Sequence, residues 1–484
     1  MIHPRYDKSC TIVVEGAEAK IEGLVPWSVV VDVTSYKSPG YQFTPRYKMG
    51  HWDGRIKLFR QSRRTFPSGL AQDVKEALEA VDIKVRMDDK RQIPPLPDVT
   101  ESWGQALQLE GVSFAPPYDY QPEVAEAMLK AQRGIVAVAT NGGKTEIACL
   151  VTAALRVPTL FLVPGKDLLH QTRARFQKRL RLNDRAVGLV GDGKWSPGEW
   201  ITVGTVQTLS GALASARGKK LLDQTQLIFA DECHHVGSDT WYQVLRACNA
   251  FFRFGLSGTP LKRTDGADLR LLGATGPVIA EIRNKELISR GISSKVIIRF
   301  VKVQKPELPD GTPYPDAYKL GIVENPFRNR QLCKIIESYV EQGKSILVLV
   351  KEIPHGSKIN ESLWNYCKFV PSQFICGKES SDTRRNALDA FQAGNLSVLI
   401  ATSILDEGVD MPNIDVLVLA GGGKSSIKTL QRIGRGIRIG GSSDHLIVID
   451  TADFQNPQYL LKHSMQRMRD YRSEECFEIE VTEK

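Results

Sequence analysis

No run in this 484-residue chain approaches the roughly 20 consecutive apolar residues that a membrane-spanning helix needs. That argues against a helical membrane anchor. Cysteine is sparse, with eight residues scattered along the chain and no Cys-x-x-Cys pair, which excludes a zinc ribbon or a disulfide framework and fits a reducing compartment. The opening Met1-Ile2-His3-Pro4-Arg5 has no apolar core of a secretory leader, and no short-period repeat is visible. A cytoplasmic protein without a membrane partner is expected. Charge is not one-sided either: 64 Lys and Arg stand against 55 Asp and Glu, a net +9, so the excess matters only where it clusters. What remains is an ordinary globular composition, 42% hydrophobic and 25% charged. It is enough for three or four domains that need no covalent staple.

Residues 1–97 read as a front module. Thr11-Ile12-Val13-Val14 and Ser28-Val29-Val30-Val31-Asp32-Val33 suggest strands, and Val74, Leu78 and Val81 have the spacing of one helical face over Ala71–Val81. Pro94, Pro95 and Pro97 read as a linker. Between Lys37 and Arg64 the chain carries eight basic residues (Lys37, Arg46, Lys48, Arg55, Lys57, Arg60, Arg63, Arg64) against Asp53 alone, a local +7. Tyr36, Tyr41, Phe43, Tyr47, Trp52 and Phe59 interleave with them. Cations can meet phosphates while aromatics stack on bases or shape the fold. The reading taken is nucleic-acid contact; a solvated strand face with its aromatics in the core is the alternative.

Residues 98–290 alternate apolar strands with helices. Ile135–Ala139, Thr159–Val163, Trp200–Gly204, Leu227–Ala230 and Phe252–Leu256 are expected strands, and Glu146–Leu155 and Lys166–Leu180 expected helices. The pattern resumes over 291–484, with strands at Ser345–Val350, Val398–Ala401, Val416–Ala420 and His445–Ile449 and helices at Asn329–Glu341 and Thr383–Phe391. This is doubly wound α/β, two parallel-sheet domains in tandem behind a small α+β module, with a boundary near Ser289–Ser294. Asp310–Pro315 reads as a loop or an ordered hairpin.

Three motifs carry chemistry. Thr140-Asn141-Gly142-Gly143-Lys144-Thr145 stands between a strand and a helix. Glycines let backbone N–H groups approach phosphate oxygens, the helix start adds its dipole, Lys144 would reach the β- and γ-phosphates, and the Thr145 hydroxyl would ligate magnesium. The full phosphate-loop pattern wants Gly where Val138 stands. Leu227–Ala230 ends in Asp231-Glu232-Cys233-His234-His235, putting acids at the carboxyl edge of a sheet. Asp231 is placed to hold magnesium and Glu232 to act as general base or to position water. A capped strand end with two solvated acids is the plainer alternative. Without a second Cys/His pair near Cys233, no zinc site is expected. His234 either couples nucleotide state to the other domain or is an ordinary histidine. The third motif is Gln431-Arg432-Ile433-Gly434-Arg435-Gly436-Ile437-Arg438. Arg435 and Arg438 would share a helical face and suit the spread charge of a γ-phosphate in transfer; a solvated basic turn is the alternative.

In this order, the motifs resemble those of superfamily 2 helicases and translocases. The resemblance implies two tandem RecA-like domains, ATP and magnesium as cofactors, and DNA as partner. It makes Gln121 the reader of the adenine edge, with Tyr118 or a neighbour stacking on the ring. It makes Leu162-Val163-Pro164 and Val203-Gly204-Thr205-Val206-Gln207-Thr208 the segments gripping the nucleic-acid backbone, through Pro164, Gly204, Thr205 and Gln207. Ser257-Gly258-Thr259-Pro260 resembles the motif that links hydrolysis to domain movement. Thr402 and the stretch Glu407, Gly408, Asp410 resemble the second-domain motif touching strand and nucleotide. Asn141 replaces the usual Gly of the phosphate loop, which is tolerable if its φ is negative.

The front module resembles that of the UvsW-type branch-migration helicases of T4-like phages, through Gly40–Tyr47, Gly50–Leu58 and Pro67-Ser68-Gly69-Leu70. That resemblance implies ATP-driven Holliday-junction migration, fork regression and R-loop unwinding in recombination, repair and replication. The DNA expected is then branched, forked or duplex, with an RNA–DNA hybrid left open, and Arg46, Lys48, Trp52, Arg55 and Lys57 become DNA-contact candidates in a protein expected to act as a monomer. An RNA helicase and the translocating subunit of a restriction complex are the rival enzymes; a non-hydrolysing DNA-binding module is the rival from another class.

Overall fold

The acid pair ends a strand near the middle of an eight-stranded sheet, in one of two compact units into which the chain folds. The computed structural model describes residues 6–96, 109, 115–261, 265–367, 370–402, 414–423, 445–473 and 476–482. Glu407, Gly408, Asp410, Gln431, Arg435 and Arg438 lie outside the described residues. Residues 1–138 and 143–282 form the first unit, and 139–142 group with 283–484 in the second.

The front of the first unit contains β1 (Ser9–Glu15), β2 (Glu18–Glu22), β3 (Ser35–Lys37), β4 (Arg55–Lys57), β5 (Thr65–Pro67) and β6 (Lys84–Asp89). They form a four-stranded sheet in the order β5-β2-β1-β6 and a separate antiparallel ribbon of β3 and β4. Ser28–Val33, expected as a strand, is a helix spanning Trp27–Val33. Val30 and Thr34, four apart, are buried, Trp27, Val29, Val31 and Val33 are half-buried against the core, and Ser28 and Asp32, again four apart, stay exposed. That is helical periodicity, hidden in the sequence by β-branched residues. Pro26 supplies a fixed φ at the helix start. The expected second helix runs over Ala71–Glu79 with Val74 and Leu78 fully buried, whereas Val81 falls beyond its end and is exposed.

The larger part of this unit contains β7 (Arg133–Val138), β8 (Thr159–Val163), β9 (Val187–Gly191), β10 (Lys194–Ser196), β11 (Ile201–Thr205), β12 (Leu227–Asp231), β13 (Phe252–Ser257) and β14 (Val278–Ile282). Their order is β10-β9-β11-β8-β12-β13-β7-β14, parallel except where β10 meets β9. β8, β11 and β12 are buried at every position. Strands covered on both faces read as continuous apolar runs, which is why they were visible in the sequence.

The front sheet does not keep a core to itself. Ile12, Ile21, Phe66, Leu70, Val74 and Leu78 belong to one apolar cluster with Trp241, Leu245, Leu271 and Ala274 of the larger part. At the join, Gly69 lies so close to the helix Asp268–Thr275 that a Cβ would sit 2.1 Å from the Leu272 carbonyl oxygen. Arg133 reaches across to donate to Ser68 Oγ at 2.7 Å. Glu18 pairs with Arg246.

The second unit is a seven-stranded, wholly parallel sheet of β15 (Lys295–Val303), β16 (Ile346–Leu349), β17 (Ser372–Ile375), β18 (Val398–Ala401), β19 (Val416–Leu419), β20 (His445–Asp453) and β21 (Phe477–Thr482), in the order β17-β18-β16-β19-β20-β15-β21. β20 runs past the expected end at Ile449 because its buried acids are paired. Asp450 accepts from Arg467 Nε at 2.8 Å and Tyr471 Oη at 2.7 Å, and Asp453 accepts from Arg328 Nε at 3.0 Å. Asp310–Pro315 pairs with no strand: it is a loop running into a short helix at Tyr314–Tyr318.

Candidate functional site

The order of strands decides what meets at the carboxyl edge of the first sheet. β7, which precedes the phosphate loop, and β12, which ends in Asp231, are separated only by β13, which ends in Ser257. The registers put Asp231 opposite Leu256 and Ser257 opposite Ala137. Three chain ends far apart in sequence therefore finish side by side.

The phosphate-loop turn closes with the Gly142 N–H on the Ala139 carbonyl at 3.0 Å, and a helix follows from Lys144 to Leu155. Two residues of this loop are left-handed, Gly143 at φ 77° and Asn141 at φ 72°. The negative φ named above as the condition for a non-glycine at Asn141 is not met. Asparagine fits because its short polar side chain makes it the usual non-glycine occupant of left-handed backbone. Gly143 answers to its φ, and a Cβ there would lie 2.3 Å from Gln121 Nε2, so a side chain would also displace that amide. Gln121, buried in the helix Tyr120–Ala131, thus lays its amide against the phosphate loop, with Tyr118 half-buried beside it and Tyr120 in the core.

Lys144 Nζ lies 3.9 Å from Glu232 Oε1. His234 Nδ1 stands 3.4 Å from Glu232 Oε2 and 3.2 Å from Ser257 Oγ. Ser257 Oγ in turn accepts the Thr259 N–H at 3.2 Å. Residues far apart in sequence thus become a line of contacts: Lys144, Glu232, His234, and the Ser257–Thr259 segment. Glu232 is itself left-handed at φ 49°, and its N–H donates to Asp231 Oδ1 at 3.0 Å. A non-glycine residue in that region costs of order 1 kcal/mol or more and clusters at functional sites. Burial, with the Glu232 and Asp231 carboxylates next, pushes the Cys233 thiol well above its ordinary range.

Among the described residues no group of three or more His, Cys, Asp or Glu could hold a metal ion unaided. Thr145 at the helix start and the buried Asp231 suit magnesium of another kind, which takes one or two protein oxygens and completes its shell with water and phosphate.

Farther along the same edge, β11 and β8 bring the nucleic-acid candidates together: Thr205 is paired with Val163. Gln207 is exposed, and its Nε2 donates to the Pro164 carbonyl at 3.0 Å. Thr205 Oγ1 donates to Thr208 Oγ1 at 2.9 Å. Gly204 is buried where a Cβ would meet Leu209 at 2.9 Å, so its glycine answers to packing. In the second unit, Thr402 is buried just after β18.

The front candidates divide by environment. Arg46 and Lys48 are exposed. Arg55 Nη1 donates to Asp32 at 2.9 Å and to Ser35 at 3.1 Å, and Lys57 pairs with Asp53 at 2.8 Å. The Lys57 hydrogen bond, ahead of the Arg55 N–H, holds the Asp53 carboxyl below its ordinary range. Trp52 Nε1 donates to the Arg55 carbonyl at 2.8 Å.

Comparison with known proteins agrees with this layout. Family models match residues 19–88 (DNA helicase UvsW, N-terminal), 115–262 (type III restriction enzyme, res subunit) and 328–440 (helicase conserved C-terminal domain). The ATP-dependent DNA helicase uvsW of Enterobacteria phage T4 is 24% identical over 92% of this chain and 93% of its own length. The DNA 3′-5′ translocase XPB2 of Sulfurisphaera tokodaii is 26% identical over 70% of this chain and 82% of its own. In fold, S. cerevisiae Dbp5, solved with RNA and ADP BeF3, matches with a TM-score of 0.52 at 15% identity, covering 80% of this chain and 94% of that one.

Proposed function

We propose that this chain is a superfamily 2 motor on the UvsW plan: an ATP-dependent DNA helicase or translocase that remodels branched DNA. In this reading residues 1–97 hold duplex or branched DNA, 98–290 form the ATP-binding motor domain and 291–484 the second motor domain. The observation that carries the reading is the contact line Lys144–Glu232–His234–Ser257, set on the same sheet edge as the bridged pair Gln207–Pro164. One end of that edge suits a triphosphate, the other a phosphate backbone.

Lys144 and the N–H groups of the loop would bind phosphate oxygens, and Gln121 would read the adenine edge. Thr145 and Asp231 would hold magnesium, which when bound neutralises phosphate charge. Glu232 would accept a proton from, or orient, the attacking water. His234, in reach of both Glu232 and Ser257, would report the state of that acid to the Ser257–Thr259 segment. Gln431, Arg435 and Arg438 are assigned to γ-phosphate sensing, and Glu407, Gly408 and Asp410 to nucleotide and strand contact, by motif order alone.

The test is steady-state ATPase with and without DNA on purified variants. Lys144→Ala and Glu232→Gln should each lose DNA-stimulated turnover by about 100-fold or more, the scale of a lost acid–base group, with DNA binding still measurable. Turnover at the native rate by either variant would overturn the assignment. Running the stimulation with branched DNA, linear duplex and RNA duplex identifies the substrate: strongest stimulation by RNA would overturn the DNA reading.

A further inference from the structure

Between β3 and β4 the chain leaves the ribbon for a seventeen-residue excursion, Ser38 to Gly54, closed at its base by the Ser38 N–H on the Gly54 carbonyl at 2.8 Å. The excursion is not a loose loop. It holds two short helical turns, Tyr41–Phe43 and Pro45–Lys48. The Tyr41 ring lies against Gly54, where a Cβ would stand 2.3 Å from it, and Tyr47 meets that ring edge-on at 4.8 Å. Lys37 Nζ stands 5.4 Å above the Tyr41 ring. Thr44 Oγ1 donates to the Tyr41 carbonyl at 2.7 Å.

Such ordering leaves two large apolar side chains outside. Phe43 is 75% exposed and Met49 60% exposed, the former among the most exposed large hydrophobics of the described chain. Their neighbours in sequence bear cations: Arg46 and Lys48, both exposed, are the only formal charges from Ser38 to Trp52. An aromatic ring and a polarizable thioether on an ordered tip whose one acid, Asp53, is paired with Lys57 match a nucleotide whose base is not already stacked. In linear duplex every internal base face is covered by its neighbour; at a branch point base faces come free.

We propose that Phe43, supported by Met49, stacks on an unpaired or unstacked base at a DNA branch, while Arg46 and Lys48 hold the flanking phosphates. This rests on the DNA-remodelling reading and deepens it. The tip supplies preference for branched over linear DNA, and the cations supply sequence-independent grip.

The test uses the full chain without ATP and three fluorescently labelled DNAs. These are a four-way junction with 2-aminopurine at the branch, a gapped duplex with 2-aminopurine in the gap, and a linear duplex of equal length. The native protein should change the probe's fluorescence in the first two. Phe43→Ala/Met49→Ala should abolish that change and lower the junction-to-duplex affinity ratio about tenfold, within the usual effect of removing a stacking side chain. Phe43→Trp should restore both. Arg46→Ala/Lys48→Ala should weaken binding to all three DNAs alike. A fluorescence change and ratio that persist in Phe43→Ala/Met49→Ala would overturn the proposal. If the native protein shows no junction preference, yet its effect on the gapped probe depends on Phe43, the branched-DNA reading fails while the base contact stands.

Discussion

At the scale of single residues, the site departs from expectation at one backbone torsion. Asn141 holds φ 72° where the usual residue is glycine. Asn141→Gly should therefore keep ATPase within about twofold of native. Asn141→Val, which brings a β-branched side chain into left-handed backbone at a cost of roughly 1–2 kcal/mol, should raise KM for ATP severalfold with the chain still folded. Equal KM values for the valine and glycine variants would show that the loop does not need this conformation. The acids and the lysine of the site were legible because phosphate and magnesium chemistry demand those side chains in that order. The relay was not. That His234 touches Ser257 follows from β13 lying next to β12, a fact of strand order to which adjacent letters give no access.

At the scale of elements, the legible strands were buried ones with unbroken apolar runs; β9, equally buried, was not among them because Gly188 and Gly191 thin its run. Trp27–Val33 was misread because three successive valines favour a strand, while the spacing of its buried side is helical. β15 went unnoticed, although Val296, Ile298 and Phe300 alternate inward, because Arg299 and Lys302 break its apolar character. The tail of β20 was cut short because a sequence cannot show that Asp450 and Asp453 find Arg467 and Arg328. A helix in the same unit makes a further prediction. His355, in Ile353–Tyr366, is fully buried with Nε2 3.1 Å from Asn329 Oδ1. Burial, and then the charges of Arg328 and Lys358, lower its pKa from 6.5 to about 3. The folded chain keeps this imidazole neutral where the unfolded chain protonates it. Its contribution is therefore constant above about pH 6.5 and declines between 6.5 and about 3, by at most about 1.4 kcal/mol per pH unit. Denaturant unfolding across that window should show the decline, and His355→Gln should flatten it; identical slopes would refute the assignment.

At the scale of the first unit as a whole, the front sheet and the motor sheet fold as one body. Gly69→Val places side-chain atoms against the Leu272 carbonyl. The cost should be about 1–3 kcal/mol, as for overpacked cores, and both sheets should feel it. Native-state hydrogen exchange should quicken in β1 and β12 together. Exchange that quickens in β1 alone would mean that the cores are separable. The +7 patch suggested a nucleic-acid module at the front, but no sequence pattern could show this union, because the apolar residues that join Leu70 and Val74 to Leu271 and Ala274 lie about 200 residues downstream in the chain. The union also bears on how force is carried. A grip tethered by a pliant linker wastes part of each stroke in taking up slack. Here the Tyr36 side chain at the base of the ribbon packs on Gly266, six residues beyond Pro260, and the ribbon's foundation is the motor's own core. On the reading proposed above, displacement of the ATP-binding body would carry the front tip with it.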